Sequence, residues 1–358
     1  MKKQLLMAVL TGVIGLSFTG CGKNEPAPTT AAPEMQTQSE AAGAEESQAG
    51  ESKESPEDSA GENQSKWEPN STVSIVVPAG AGGDTDLSAR VFAQYAKEIT
   101  GNDFIVVNSN GAAGSVAANQ VLASAPDGHT FLYGHNLVNV ANIAGVTDYN
   151  YSAFKIGPTF VLEPAQQLYV YADQYANLDE FIAAAKAAPG ELKACTEVGA
   201  YTYYELLAFE KAAGIDLELV DAGSTSDKIA AMLSGQIDLM PGPYINCKDY
   251  LESGQFVAIG VPTEERYDVI SQIPTLKEQG IDFVYPNQEF SFYFPKETPD
   301  EIISWYEDLV KQIVDSPDAQ ESIANVEMMP YFLSANDTEQ KEEEIFTTIK
   351  NIADELAE

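Results

Sequence analysis

Two glycine-rich turns, each directly after a β-like apolar run, constrain this chain more than any other feature. The first run, Val73-Ser74-Ile75-Val76-Val77, breaks into Pro78-Ala79-Gly80-Ala81-Gly82-Gly83-Asp84 and leads to an amphipathic stretch from Leu87 to Ile99. The second, Phe104-Ile105-Val106-Val107, breaks into Asn108-Ser109-Asn110-Gly111-Ala112-Ala113-Gly114 and again enters a small-residue helix. Glycine lets the backbone pass close to a ligand, and the N–H groups at a helix start attract negative charge. Two such turns at equivalent places in one βαβ unit predict a site for a small, anionic molecule.

The pattern continues. Thr130–Tyr133 and Leu168–Tyr171 read as strands, and 178–188 as a helix ended by Pro189-Gly190. A second βα set follows: strand 192–195, a turn over 196–202, helix 203–213, strand 217–220, a turn over 221–224, helix 227–233, then strands 237–240 and 256–261. Two successive sets predict an α/β fold of two lobes with mainly parallel sheets, facing each other across a cleft. Lobe 1 is expected over 71–172 and lobe 2 over 173–283, with 284–358 returning to lobe 1 and ending in charged helices. Ligands in such sheets sit beyond the C-terminal strand ends, where all these turns lie.

The first 70 residues differ in kind. Lys2 and Lys3, the apolar run 5–16 and Phe18-Thr19-Gly20-Cys21 read as a lipoprotein signal over 1–21, with Cys21 the lipidation site. Phe18 stands where such boxes usually carry Leu. Residues 22–70 are rich in Ala, Glu, Ser, Gln, Gly and Pro and cannot bury enough surface to offset their ordering entropy, so a disordered acidic tether is expected. The tether holds 11 acids against 3 lysines and the signal adds two lysines, so −30 of the formal −36 charge stays with 71–358. Such a field excludes nucleic acid and anionic lipid as partners. Any anion must be held by local dipoles. Of three cysteines, Cys195 and Cys247 remain after Cys21, and the sequence leaves their pairing open.

From Val73 to about Ala335 the chain resembles the extracytoplasmic solute receptors of the tripartite tricarboxylate transporter family. The resemblance rests on Val76-Val77-Pro78 with 82–86, on Asn108 with 111–114, and on Ala125-Pro126-Asp127-Gly128-His129-Thr130. Leu233-Ser234-Gly235-Gln236-Ile237-Asp238 and Pro274-Thr275-Leu276-Lys277-Glu278-Gln279-Gly280 follow in the expected order. It implies a periplasmic-binding-protein fold that closes on a carboxylate-bearing solute and delivers it to a membrane permease, with no cofactor and no catalysis. The ligand turns map onto 79–86, 108–114, 196–202 and 221–224. Ligand contacts are expected from Ala79, Gly80, Ala81, Gly82, Gly83 and Asp84, and from Asn110, Gly111, Ala112, Ala113 and Gly114. On the second lobe they are expected from Glu197, Gly199, Ala200, Tyr201, Thr202 and Asp221, with Tyr201 stacking on the ligand. This chain departs from the family at Ala79, normally aromatic, and at Asp84, normally glycine. Further departures are Tyr203, normally His, Val220-Asp221, normally Pro-Tyr, and Glu197, in a turn normally neutral. If Asp84, Glu197 and Asp221 face the cleft they repel a tricarboxylate, and a solute combining carboxylate and amine, or a largely neutral one, fits better.

Rival readings are weaker. The chain has two histidines and no Ser-His-Asp or Cys-His arrangement. His129 enters a strand and reads as structural, whereas His135 and Asn136 end one and can reach the cleft. Cys195 lacks a cation known to lower its pKa, since Lys193 is about 7 Å along the strand. Asp84-Thr85-Asp86 lacks the other ligands of a calcium loop, though a divalent-cation-delivering lipoprotein on the same fold is the alternative function. Asp86 is expected to be a structural helix N-cap.

Overall fold

The computed structural model describes residues 67–357; the expected signal, Cys21 and the tether up to residue 66 lie outside the described residues. The described residues pack from Trp67, within the 22–70 segment expected to be tether. Trp67 packs edge-on against Trp305 at 5.2 Å and against His129 at 5.9 Å, and Pro69 is buried. An indole offers large apolar area, so the chain is anchored from Trp67 rather than from residue 71. His129 is structural, accepting at Nε2 from the Asn70 amide and meeting Trp67 edge-on.

Lobe 1 is built on a six-stranded sheet ordered β11-β4-β10-β3-β1-β2. Its first half is the expected βαβ series: β1 (Val73–Val77), α1 (Asp84–Thr100), β2 (Phe104–Asn108), α2 (Ser115–Leu122), β3 (Thr130–Gly134) and α3 (Leu137–Ile143). Its second half is β4 (Phe154–Glu163), β10 (Gln288–Pro295) and β11 (Met329–Leu333), with α8 (Asp300–Val314), α9 (Pro317–Ala324) and α10 (Ala335–Ala357). Phe92 of α1, Phe131 and Phe292 interlock beneath the sheet with centroids 4.8–6.4 Å apart, together with Phe160 and Tyr306.

Lobe 2 holds β5 (Gln167–Tyr171) between β8 (Met240–Gly242) and β9 (Phe256–Gly260), and a β6 (Lys193–Thr196)–β7 (Glu218–Asp221) pair. Cys195 N–H donating to Leu239 at 3.1 Å links the two pieces. Helices α4 (Leu178–Ala187), α5 (Tyr201–Ala213), α6 (Thr225–Leu233) and α7 (Tyr244–Glu252) complete it. The lobe boundary is therefore near residue 164, not 172, because β5 pairs only within lobe 2.

The two-lobed α/β architecture is as expected, but the sheets are mixed rather than mainly parallel. β10 is antiparallel to β3 and β4, β11 to β4, and β5 to both its neighbours. The physical reason lies in the connectivity: β5 and β10 are the strands by which the chain enters each lobe from the other, so they run against the local βα series. The final helix ties both lobes, since Ile345 and Ile349 lie in the lobe-2 core while α10 also packs on β4 and α3.

Candidate ligand cleft

Each wall of the cleft is made where strands end and helices begin. On lobe 1, the turn after β1 enters α1, the turn after β2 enters α2 through a single 3-10 turn, and His135 follows β3. On lobe 2, the turn after β6 enters α5, the turn after β7 enters α6, and Asn246 stands in the first turn of α7. Gln166 and Gln288 come from the two crossovers and form the floor. These groups enclose a cavity of about 240 Å³.

Thirteen predicted residues line it: Ala79, Gly80, Ala81, Gly83, Asp84, Asn110, Ala113, Gly114, His135, Glu197, Ala200, Tyr201 and Thr202. Six do not. Gly82 turns its N–H to Asp86 Oδ2 at 2.9 Å and its carbonyl to Asn246 Nδ2 at 3.1 Å. Gly111 and Ala112 shape the second turn without facing the cavity. Asn136 is buried behind His135, its Oδ1 accepting from the His135 Nδ1–H at 2.9 Å. Gly199 packs against lobe 1, where a Cβ would lie 3.0 Å from that of Ala144. Asp221 is exposed at the end of edge strand β7 and borders a separate surface depression with Lys193, Asp227 and Asp238. So two of the three questioned acids, Asp84 and Glu197, face the cleft and the third does not.

Asp86 is not the N-cap. Gly83 occupies that position, and Asp86 sits at the third helical residue, reaching back to the Gly82 amide like the acidic half of a capping box. Arg90 and Asn108 also donate to it, so its pKa is lowered although burial opposes ionisation.

Lys228 was missed by sequence reasoning and is the main charged addition. It lies in the first turn of α6, 5% exposed, lines the cavity, and donates from Nζ to Thr202 Oγ1 at 3.3 Å. A lysine so close to a helix N-terminus is electrostatically disfavoured, and that misplacement was the available signal. Burial lowers its pKa, while Cys195, Glu205, Glu197 and Asp84 pull the other way. Gln166, Gln288, Asn246, Thr225 and Ser226 were also missed, whereas Thr85, Gly223 and Ser224 lie in the expected turns and line the cavity.

Behind the walls stand two buried acids. Glu163 accepts from Gln288 Nε2 at 3.0 Å, and burial, then the charge of Asp84, hold its carboxyl well above the usual range. Burial does the same to Glu205, although Lys228 opposes it. Burial lowers the pKa of His135, favouring the neutral ring, which meets Tyr201 edge-on at 5.5 Å. Tyr201 begins α5 rather than lying in the turn, and its hydroxyl is spent on the Pro286 carbonyl, leaving the ring as its cleft-facing part. Cys195 and Cys247 are free and buried, and burial pushes their thiols up to about 11 and about 12, so neither is a thiolate.

A cleft at the C-terminal strand ends, with polar groups converging from both lobes, is the geometry of a ligand-binding site. Residues 88–357 match the family model described as "Tripartite tricarboxylate transporter family receptor". The chain belongs to that family. The receptor is 30% identical over 297 residues to a UPF0065 protein in the gbd 5' region of Cupriavidus necator, covering 80% of this chain and 88% of that one. Its fold matches that of the periplasmic binding protein BugD with a TM-score of 0.73 at 22% identity, covering 81% of this chain and 99% of that one. MatC of Rhodopseudomonas palustris, solved with bound malate, matches with a TM-score of 0.70 at 23% identity, covering 80% and 100%. The family is one of solute receptors rather than enzymes.

Proposed function

We propose that this receptor captures a small organic solute bearing a carboxylate together with an amine or a neutral remainder, and delivers it to a tripartite-type membrane permease. One observation carries the reading: Lys228 from lobe 2 and Asp84 from lobe 1 line the same cavity of about 240 Å³. A buried ammonium beside Thr202 and the hydroxyl-rich 224–226 turn offers a seat for one carboxylate. Asp84 favours a positive or neutral group on the facing wall. MatC, of the same fold, was solved with malate, which supports a carboxylate as the common element. The contacts assigned to the thirteen cleft-facing residues belong to this proposal.

Lipidation at Cys21 would hold the receptor outside the cell membrane, with the 22–66 segment as spacer. Membership of the family supports the permease as partner.

The test is a calorimetric screen of the protein against dicarboxylates, tricarboxylates, amino acids, amines and divalent cations. Binding by amino-bearing monocarboxylates is the expected result. Binding confined to di- and tricarboxylates overturns the charge argument, and stabilisation by metal alone overturns the organic-solute reading. Delivery is checked by uptake of the labelled hit in cells with and without the receptor.

A further inference from the structure

Glu197 is the one cleft side chain that already occupies a ligand's place. It projects from lobe 2, yet its Oε1 accepts the Ala113 N–H of lobe 1 at 3.0 Å. That amide is not incidental. Ala112 and Ala113 are both left-handed, with φ 49° and 51°, and Gly114 follows at φ 82°. A left-handed conformation is strained for an L-residue, and successive amides in such a turn form a concavity that takes an anion. The turn accepts a carboxylate here, and the carboxylate is the protein's own.

The segment presenting Glu197 is fixed. Ala200 N–H donates back to the Glu197 carbonyl at 3.0 Å, Thr196 and Thr202 hydroxyls meet at 2.7 Å, and left-handed Gly199 sits flush against Ala144 of lobe 1. Among the described residues lining the cavity there is one lysine, Lys228, and one histidine, whose charging is opposed by burial. Asp84 and Glu197 are the carboxylates facing it. One solute carboxylate therefore has a cation to meet, and a second has the Ala113 amide only by displacing Glu197.

We propose that Glu197 is a specificity-determining residue: a built-in carboxylate that fills the lobe-1 amide turn and so excludes solutes with two free carboxylates. This rests on the reading of the cleft as a carboxylate-receptor site and adds which carboxylates it refuses. The exclusion has two parts, occupancy of the amide and like-charge repulsion inside a low-dielectric cavity. Glu197→Gln keeps an acceptor for Ala113 and removes the charge; Glu197→Ala removes both.

The experiment measures binding of succinate, malate and a panel of amino acids to wild type, E197Q and E197A by calorimetry, with thermal unfolding of each unliganded protein as a folding control. The expected result is a gain of at least about tenfold in succinate or malate affinity for E197A, and a smaller gain for E197Q. The affinity of amino acids with a single carboxylate should stay within about threefold of wild type. Wild-type binding of succinate or malate that weakens in both variants overturns the proposal, as does unchanged dicarboxylate affinity in folded E197A and E197Q. The broader reading fails separately. If wild type binds no amino-bearing solute but E197A still gains dicarboxylates, the role of Glu197 stands and the amine-bearing solute falls.

Discussion

At the scale of single residues, the two most instructive side chains are Asp86 and Lys228, because burial opposes the charge of both and only Asp86 is well compensated. Asp86 is 2% exposed and fully partnered, with Arg90 Nε at 3.0 Å and Nη2 at 2.8 Å, Asn108 Nδ2 at 2.9 Å and the Gly82 amide at 2.9 Å. Removing it leaves the Gly82 amide unpaired, strips Asn108 Nδ2 of one of its two acceptors while the Ala79 carbonyl at 3.0 Å remains, and loosens the first ligand turn. Arg90 is half exposed and can rehydrate, so the expected loss for Asp86→Ala is about 2 kcal/mol rather than the 3–5 of a wholly buried pair. Denaturant unfolding of the variant checks it. Lys228 is buried with a single hydrogen bond at 3.3 Å, to Thr202. Its ammonium is poorly compensated, and Lys228→Met is expected to keep or raise the melting temperature of the unliganded protein while weakening solute binding at least about tenfold. Calorimetric titration beside a thermal scan separates the two effects, and a fall in both would make Lys228 a structural residue.

At the scale of elements, β4 shows why part of the fold was hidden in the sequence. It reads Phe-Lys-Ile-Gly-Pro-Thr-Phe-Val-Leu-Glu, and a Gly-Pro pair inside an apolar run argues against a central strand. The structure resolves the conflict with a bulge: β10 register jumps so that Tyr293 faces Ile156 and Ser291 faces Thr159, leaving Gly157 and Pro158 opposite Phe292. Gly157 is needed there, since a Cβ would lie 2.7 Å from the Phe294 ring and 3.0 Å from Phe292 Cβ. Gly157→Ala is expected to cost about 1–3 kcal/mol by overpacking, read as a lowered unfolding midpoint. By contrast the βα units of both lobes were legible, because an apolar run, a glycine-rich turn and an amphipathic helix are all local signals. The same contrast holds in the cleft. The backbone turns were visible from their glycines, whereas Lys228, Gln166 and Gln288 reach the cavity through packing between lobes that no local pattern records. Asp221 failed for a related reason: its turn was correctly placed at a strand end, but β7 is an edge strand and carries it away from the opposing lobe.

At the scale of the whole molecule, the acidity of the chain acts on its stability through acids that the fold buries. Burial pushes Glu289 and Glu342 up to about 7 each, and also Glu210, which water screens more. Glu163 and Glu205 are raised further, again by burial first. In the unfolded chain these groups ionise near 4.5. Between about 4.5 and 7 the native state therefore keeps protons that the unfolded state has released, and stability falls as pH rises through that window. Each fully buried group contributes a slope approaching about 1.4 kcal/mol per pH unit. His135 acts in the opposite sense. Its pKa is lowered from 6.5, so the unfolded ring binds a proton below that pH which the native ring resists, and stability falls on acidification. Asp86, whose pKa is lowered from 3.8, releases its contribution only at still lower pH. Several raised acids outweigh one histidine, and acidification also relieves the repulsion of a strongly negative chain. The melting temperature is thus expected to be higher at pH 5 than at pH 7.5, measured by calorimetry at constant ionic strength. Glu342 is the probe of cause, since its carboxylate oxygens take the Tyr293 hydroxyl at 2.5 Å and the Asn139 amide at 2.6 Å and do not face the cleft. Glu342→Gln removes one titration while keeping a polar group there, so its stability should depend less steeply on pH between 4.5 and 7 than that of wild type. An unchanged slope in that variant would move the origin of the acid preference from this buried carboxyl to the net charge of the surface.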